Sequence, residues 1–213
     1  MVDDSAGAKG DSGLAYELDF LFEAGYLKRL RRSGWQLAGI ANGESVAEHV
    51  FRTSVVGFVL ACLEGVDPYR VATLCLLHDM QETRVSDLNP VTKKYFDQDA
   101  AEATARGEVC NKLDRKVSHH LKQIFDQYEA RSSPEAVVAR DADLLECILQ
   151  AYEYREMGFQ GVANFIAGQA NLQSQLKLTS AVRLAELAAT RSSTEWWKAL
   201  TQGSSADSAE NDQ

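Results

Sequence analysis

Apolar residues recur every three or four positions along almost the whole chain, and no stretch alternates apolar and polar positions over the length of a strand. This spacing places the apolar side chains on one face of each successive helix, so the pattern predicts an all-α protein. A glycine-rich loop over residues 33–43 separates the first two helices. The predicted helices cover about residues 14–32, 45–62, 67–79, 100–113, 117–128, 133–157, 162–170 and 180–200.

Two of the predicted helices begin with clear capping signals. Ser45 and Glu48 form a capping box ahead of an apolar run, and Asp67-Pro68 combines an N-cap aspartate with a proline in the first turn. These starts determine where the polar residues of each helix fall. We expect His49 in the first turns of the second helix and His78-Asp79 in the last turns of the third.

The composition is that of one globular domain. Hydrophobic residues make up 45% of the 213 residues and charged residues 25%, which are ordinary shares. Residues 1–13 and 203–213 are small and polar, so we expect disordered tails on either side of a single domain over residues 14–202. The sequence shows no secretory leader and no membrane-spanning run, so a cytoplasmic protein that contacts no membrane is expected.

The balance of charge narrows the possible partners. A net charge of −9 argues against polymeric nucleic acid and anionic membrane surfaces, because both attract basic proteins. An anionic small substrate would need local cations in its site. The four cysteines are widely spaced within apolar helical stretches, which predicts reduced core thiols: Cys62, Cys75, Cys110 and Cys147.

Histidines and aspartates at helix positions suggest a metal site. His78 and Asp79 follow an apolar run and lie about 100° apart around a helix axis, with Glu82 one turn beyond His78. A His-Asp pair alone is more often a histidine satisfied by its neighbour. His49 and an aspartate inside the apolar helix 133–157 add further nitrogen and oxygen donors, the set that a divalent cation prefers.

Four segments together resemble one known family. The chain is similar to the HD-domain superfamily of metal-dependent phosphohydrolases, and within it to the branch that contains the 5′-deoxynucleotidases, over about residues 14–170. This resemblance implies a single HD-domain helical bundle. The matching segments are Arg32-Ser33-Gly34-Trp35, Glu44 to His49, Leu77 to Glu82 with Ser86-Asp87, and Asp143 with Ile148 to Tyr154.

The resemblance implies one divalent metal ion per chain. Its ligands would be His49, His78, Asp79 and Asp143. Asp141 and Asp143 lie about 200° apart on their helix, so only one can face the site, and periodicity does not decide between them; the family match favours Asp143. Mixed nitrogen and oxygen ligation suits Mn²⁺, Co²⁺, Fe²⁺ or Zn²⁺ better than Mg²⁺.

The resemblance also implies roles in chemistry and substrate binding. Glu82 would orient or deprotonate the attacking water, and Arg32 would serve catalysis by meeting the substrate phosphate. Trp35 would lie beside the sugar, although a loop aromatic that caps the core is an alternative. Asp87 would bind the sugar or initiate a turn, and Asp79 would contact substrate as well as metal.

Several functional alternatives stay open at this point. The leading hypothesis is an enzyme that releases phosphate from (deoxy)nucleoside 5′-monophosphates by attack of metal-activated water. Other possibilities are hydrolysis of another phosphorylated small molecule, a two-metal phosphodiesterase or oxygenase, and a metal-stabilised regulatory module without turnover. His119-His120 could supply a second metal, but adjacent residues diverge on a helix and predict a surface position. A homodimer is expected from the resemblance only.

Overall fold

The computed structural model describes residues 8–167 and 171–202, and these residues form helices joined by short turns. Within those ranges there is no strand, only a single bridge between Arg31 and Ser45, so the all-α class is confirmed. Three 3₁₀ turns cover Thr92–Lys94, Gln160–Val162 and Gln173–Gln175. The helices are α1 (Ala8–Tyr26), α2 (Ser33–Leu37), α3 (Val46–Glu64), α4 (Pro68–Leu77), α5 (Glu82–Val85), α6 (Gln98–Lys112), α7 (Arg115–Ala130), α8 (Pro134–Glu156), α9 (Ala163–Ile166), α10 (Thr179–Thr190) and α11 (Glu195–Gln202).

The observed ends differ from the prediction in several places. α1 begins at Ala8, so residues 8–13 of the tail predicted over 1–13 are helical, and the rest of both predicted tails lies outside the described residues. The loop 33–43 contains the short helix α2. The helix predicted over 180–200 is two helices, because Ser193 turns to donate hydrogen bonds to the Glu156 carboxylate between α10 and α11.

The central core lies between α3, α4 and α8, which contact one another along most of their lengths. Gly57 allows the close approach of α3 to α4, because a Cβ at this position would lie 2.6 Å from the Cys75 sulfur. Cys75 and Cys110 are buried as predicted, whereas Cys62 is exposed on α3 and not a core thiol. The main buried apolar residues of this core are Leu60, Val71, Leu74, Val138, Leu145 and Ile148.

Helix α3 is long and apolar enough to cross a membrane by length and composition alone. It nevertheless carries buried His49 and half-buried Arg52, and it packs against both α4 and α8. These are properties of the core helix of a globular domain. The capping box predicted at its start is confirmed: Ser45 Oγ accepts from the backbone N–H of Glu48, and the Glu48 side chain accepts from the backbone N–H of Ser45.

Candidate active site

Four donors from three different helices converge on one point. His49 lies in the first turns of α3, His78 is the C-cap of α4 with Asp79 after it, and Asp143 lies within α8. His49 Nε2 is 3.2 Å from Asp143 Oδ1 and 3.8 Å from Asp79 Oδ2. His78 Nε2 is 3.2 Å from Asp79 Oδ1 and 3.9 Å from Asp143 Oδ1. Two imidazole nitrogens and two carboxylates therefore face each other across a gap small enough for a single ion.

The tautomers assigned from the hydrogen bonds leave both Nε2 atoms available. His78 Nδ1 is 2.7 Å from the carbonyl oxygen of Cys75 and donates to it. His49 Nδ1 is 2.5 Å from Glu146 Oε2, so Nε2 is the ring nitrogen that faces the aspartates. That Nε2 is buried without a hydrogen-bond partner of suitable geometry among the described residues. An orphaned nitrogen beside two carboxylates fits a divalent cation.

The electrostatics of the cluster separate acids from bases. Burial would raise the pKa of the Asp79 carboxyl, but the facing His78 and Arg32 lower it to about 2. Burial and Arg32 would lower the pKa of His49, yet the carboxylates of Glu146 and Asp143 raise it to about 10. In the metal-free site the carboxylates of Asp79 and Asp143 are thus ionised and His49 carries a proton on both ring nitrogens. A cation would have to displace the proton on Nε2.

The two aspartates of α8 point to different sides of the helix. Asp143 faces the histidines, and its Oδ2 accepts hydrogen bonds from Arg140 and from the Tyr128 hydroxyl. Asp141 Oδ2 instead accepts from the backbone N–H groups of Lys177 and Leu178, at 2.8 and 2.7 Å. Asp141 therefore anchors the segment before α10, while Asp143 completes the donor cluster.

Glu82 lies beside the donors but is not one of them. It begins α5, is 7% exposed, and its Oε2 has no hydrogen-bond partner within the described part of the chain. Burial and the neighbouring carboxylates of Asp79 and Asp87 raise the pKa of Glu82 well above its ordinary value. A buried carboxylate with a raised pKa and an unused oxygen is suited to accept a proton.

Arg32 is held between two acids at the start of α2. Its Nη1 lies 3.3 Å from Asp79 Oδ2 and 3.2 Å from Asp87 Oδ1, and its Nη2 donates to the Cys147 sulfur. Asp87 Oδ2 accepts from the Ser33 backbone N–H at 2.5 Å and from the Ser33 hydroxyl. Asp87 thus fixes both the guanidinium and the first residue of α2, a structural role that its predicted sugar contact did not include.

Trp35 forms part of the cavity wall and of a small apolar cluster. It is 3% exposed, and its ring centroid lies 5.2 Å from that of Tyr154 and 5.0 Å from that of Phe165. Its indole Nε1 donates to Glu44 Oε1 at 2.9 Å. The ring therefore packs in a core, as the alternative interpretation expects, and it also borders the cavity, while its contact with a sugar stays a prediction.

A cavity of about 350 Å³ lies beside the donor cluster, and His49 is buried behind its wall. Such a volume is at the lower end of the range for small-molecule sites. The site residues that line the cavity are Arg32, Trp35, His78, Asp79, Glu82, Asp87 and Asp143. The cavity lining also includes polar side chains that the sequence did not single out, among them Lys93, Gln98, Glu129, Arg131 and Arg140; of these, Arg140 donates to Asp143.

Two features were missed or settled only by the structure. Glu146, one turn after Asp143, was missed. An acid inside an apolar helix is itself a signal of a buried hydrogen-bonding or charged partner, which here is His49. His119 and His120 are exposed on α7, as expected, and neither lines the cavity.

Comparisons with known proteins identify the family of this chain. The family model described as HD domain matches residues 24–179. The 5′-deoxynucleotidase HDDC2 of Danio rerio is 33% identical over 141 residues, covering 66% of this chain and 70% of that protein. A solved structure of a conserved hypothetical protein from Pyrococcus furiosus has a TM-score of 0.68 at 28% identity, over 82% of this chain and 99% of that one. A structure from Magnetospirillum magnetotacticum, titled a predicted metal-dependent phosphohydrolase, has a TM-score of 0.66 at 25% identity, over 84% and 90%.

Proposed function

The chain belongs to the HD-domain family of metal-dependent phosphohydrolases, and on that premise we propose that this hydrolase releases inorganic phosphate from nucleoside 5′-monophosphates, with deoxynucleotides favoured. The observation that carries the proposal is the convergence of two Nε2 atoms and two carboxylates at the wall of a cavity that a buried glutamate and a half-buried arginine also line. A metal-stabilised module without turnover would not require a buried Glu82 whose Oε2 has no hydrogen-bond partner among the described residues.

One divalent ion would be held by His49, His78, Asp79 and Asp143. Their nitrogen and oxygen donors suit Mn²⁺, Co²⁺, Fe²⁺ or Zn²⁺ better than Mg²⁺, which prefers oxygen ligands. When bound, such an ion polarises a phosphoryl oxygen and lowers the pKa of water beside it. The protein supplies the fixed geometry, because all four side chains are buried and come from the core helices α3, α4 and α8 or the turn after α4.

Glu82 would accept the proton of the attacking water. Its raised pKa makes it a stronger base than an exposed glutamate, and its Oε2 has no hydrogen-bond partner among the residues that the structure describes. Arg32 would bind the phosphate oxygens from the Asp79 side of the cluster. Its planar guanidinium can form two parallel hydrogen bonds to phosphate, and it provides the local cation that an acidic protein needs for an anionic substrate.

Trp35 and Asp87 would select the sugar. The Trp35 ring is fixed by Glu44 and by two aromatic neighbours, so it forms a rigid wall that would disfavour an additional 2′-hydroxyl group. Asp87 already accepts hydrogen bonds from Ser33 and forms an ion pair with Arg32. Each carboxylate oxygen has two lone pairs, which leaves capacity for a sugar hydroxyl.

The proposal includes a homodimer. Helix α3 exposes an apolar row of Phe51, Val55, Val59 and Leu63, and α1 exposes Leu14, Leu18, Leu21 and Phe22. Apolar rows of this length are typical of surfaces that another protein covers. Light scattering of the purified chain should give the mass of two copies, and a one-chain mass would contradict this part of the proposal. The cytoplasmic location stays a prediction.

A phosphate-release screen tests the proposal directly. The metal-loaded protein is incubated with deoxy- and ribonucleoside 5′-monophosphates and with unrelated phosphate monoesters, each in Mn²⁺, Co²⁺, Zn²⁺ and Mg²⁺. We expect the fastest release from a deoxynucleoside 5′-monophosphate with one of the first three metals. Release from a different class of phosphate ester, with none from nucleotides, would refute the proposed substrate class but would still be consistent with a hydrolase.

A further inference from the structure

One buried acid next to the donor cluster has no part in the proposed reaction. Glu146 lies in α8 one turn after Asp143 and is 0% exposed. Its Oε2 is 2.5 Å from His49 Nδ1, on the side of the ring that faces away from the aspartates. It therefore touches a donor of the cluster without facing the cavity, whose lining residues do not include it.

The second oxygen of Glu146 is fixed by an arginine from α3. Arg52 Nε and Nη2 lie 2.9 and 2.8 Å from Glu146 Oε1. The same guanidinium donates to Gln150 Oε1 at 2.7 Å and to Glu153 at 2.7 Å. Both carboxylate oxygens of Glu146 thus have an assigned partner, and the network extends from the buried ring to the half-exposed Glu153.

We propose that Glu146, held in place by Arg52, is a positioning residue of the metal site, which keeps the proton of His49 on Nδ1 and so presents the lone pair of Nε2 to a divalent cation. The inference rests on the metal site of the proposed function. It does not depend on which substrate the enzyme hydrolyses.

The physical reason is the choice of tautomer. A neutral imidazole carries its proton on one nitrogen, and the group bonded to that nitrogen decides which one. A carboxylate can only accept, so it retains the proton on Nδ1 and also makes the ring a stronger ligand. His78 has the same arrangement with a weaker acceptor, the carbonyl of Cys75. The two histidines of the site are therefore oriented by different partners, one from the backbone and one from a side chain.

The competing explanation is that the pair of Glu146 and Arg52 only ties α3 to α8. Both explanations predict some loss of stability when the pair is broken. Only the positioning role predicts that metal affinity falls while the metal-free fold is retained. It also predicts that the proton of the His49 ring moves from one nitrogen to the other.

Glu146→Gln separates the two explanations. Because the two Arg52 donors require an oxygen at the Oε1 position, the amide nitrogen of glutamine would face His49 Nδ1 and donate to it. That hydrogen bond favours the proton on Nε2, the wrong tautomer for a ligand; an Asp→Asn change beside a catalytic histidine acts in this way in serine proteases. We expect the affinity of the nucleotide-free protein for Co²⁺, measured by chelator competition, to fall about 10- to 100-fold.

Two further measurements make the test specific. NMR of the Zn²⁺-loaded protein with ¹⁵N-labelled histidine should show a protonated Nδ1 on both site histidines of wild type, and the His49 signal should be lost or shifted in Glu146→Gln. Arg52→Gln should weaken Co²⁺ binding severalfold, but it should have no added effect in the Glu146→Gln background, since it acts through Glu146. Glu153→Gln, which contacts only the outer side of Arg52, is the matched control and should bind Co²⁺ as wild type does.

The outcomes are distinguishable. Folded Glu146→Gln with the Co²⁺ affinity and His49 signal of wild type overturns the inference and leaves the proposed function intact. If this variant does not fold, Arg52→Gln decides, because Arg52 forms its side-chain hydrogen bonds and ion pairs with Glu146, Gln150 and Glu153 and not with the four donors. Unchanged affinity in that variant overturns the inference. Wild-type protein that binds no divalent metal overturns the proposed function and the inference together.

Discussion

Replacing Glu82 by glutamine should greatly lower kcat, while the variant still binds its divalent metal ion. Glutamine has nearly the same volume, and Glu82 Oε2 has no hydrogen-bond partner among the described residues, so little packing is lost. Removing a positioned proton acceptor usually lowers kcat by about 10²- to 10⁴-fold. At about 1.36 kcal/mol for each factor of ten, this corresponds to about 2.7–5.4 kcal/mol of transition-state stabilisation.

The same substitution should not destabilise the metal-free protein. Burial and the nearby carboxylates raise the pKa of Glu82, so the folded state disfavours the ionised carboxyl relative to the unfolded chain. The free energy of unfolding therefore falls as the pH rises from the ordinary pKa of glutamate to the raised value. A neutral glutamine avoids this loss, and the Tm of the metal-free variant at neutral pH should equal or exceed that of wild type.

Three assays on one preparation test this prediction: metal content per chain, steady-state phosphate release and thermal melting. Glu129→Gln is the control, because Glu129 also lines the cavity but pairs with Arg106 instead of facing the donors. We expect the control to retain a kcat close to that of wild type. Glu82→Gln with full metal content and an undiminished kcat would refute the role given to Glu82.

The remaining predictions concern the metal, the phosphate and the sugar. Asp143→Asn should lose metal while Asp141→Asn keeps it, as measured by elemental analysis; the reverse result would move the metal site to the other face of α8. Arg32→Ala should lower kcat/KM for every nucleotide alike, and a loss confined to one sugar or base would contradict a phosphate contact. Trp35→Phe, chosen because the ring is buried, should raise the ratio of ribonucleotide to deoxynucleotide kcat/KM, and an unchanged ratio would remove its role in sugar choice. Since the pKa of metal-free His49 is about 10, Co²⁺ must displace a proton from His49 below that pH. The apparent affinity of the protein for Co²⁺ should therefore rise about tenfold per pH unit for each proton released, and calorimetry that detects no released proton would contradict this.

The helical class and the places of the two histidines on their helices could be predicted because local signals determine them, whereas the approach of the four donors was expected only from the family resemblance. The capping box at Ser45 sets the register of α3 and so turns His49 inward. Asp141 and Asp143 show the limit of periodicity, which requires them to diverge but cannot say which one faces the site. That choice depends on a contact distant in the chain, because Asp141 is held by the backbone of Lys177 and Leu178.

The break between α4 and α5 could not be read from the pattern of apolar residues. The His78 ring donates a hydrogen bond to the carbonyl of Cys75. The following turns are closed by hydrogen bonds that span three residues instead of four, from the backbone N–H of Met80 to the carbonyl of Leu77 and from that of Glu82 to the carbonyl of Asp79. A side chain that competes for a backbone carbonyl leaves no periodic signature. The position of Glu82 at the start of a separate helix, and therefore beside the donors, follows from that competition.

The most direct test of the account is phosphate release from a deoxynucleoside 5′-monophosphate by one preparation as purified, after removal of metal, and after metal is restored. We expect one divalent ion per chain in the purified protein. Phosphate release should stop when that ion is removed and should recover when Mn²⁺, Co²⁺, Fe²⁺ or Zn²⁺ is added back. Release that continues undiminished in excess chelator, from protein shown to contain no metal, would contradict it.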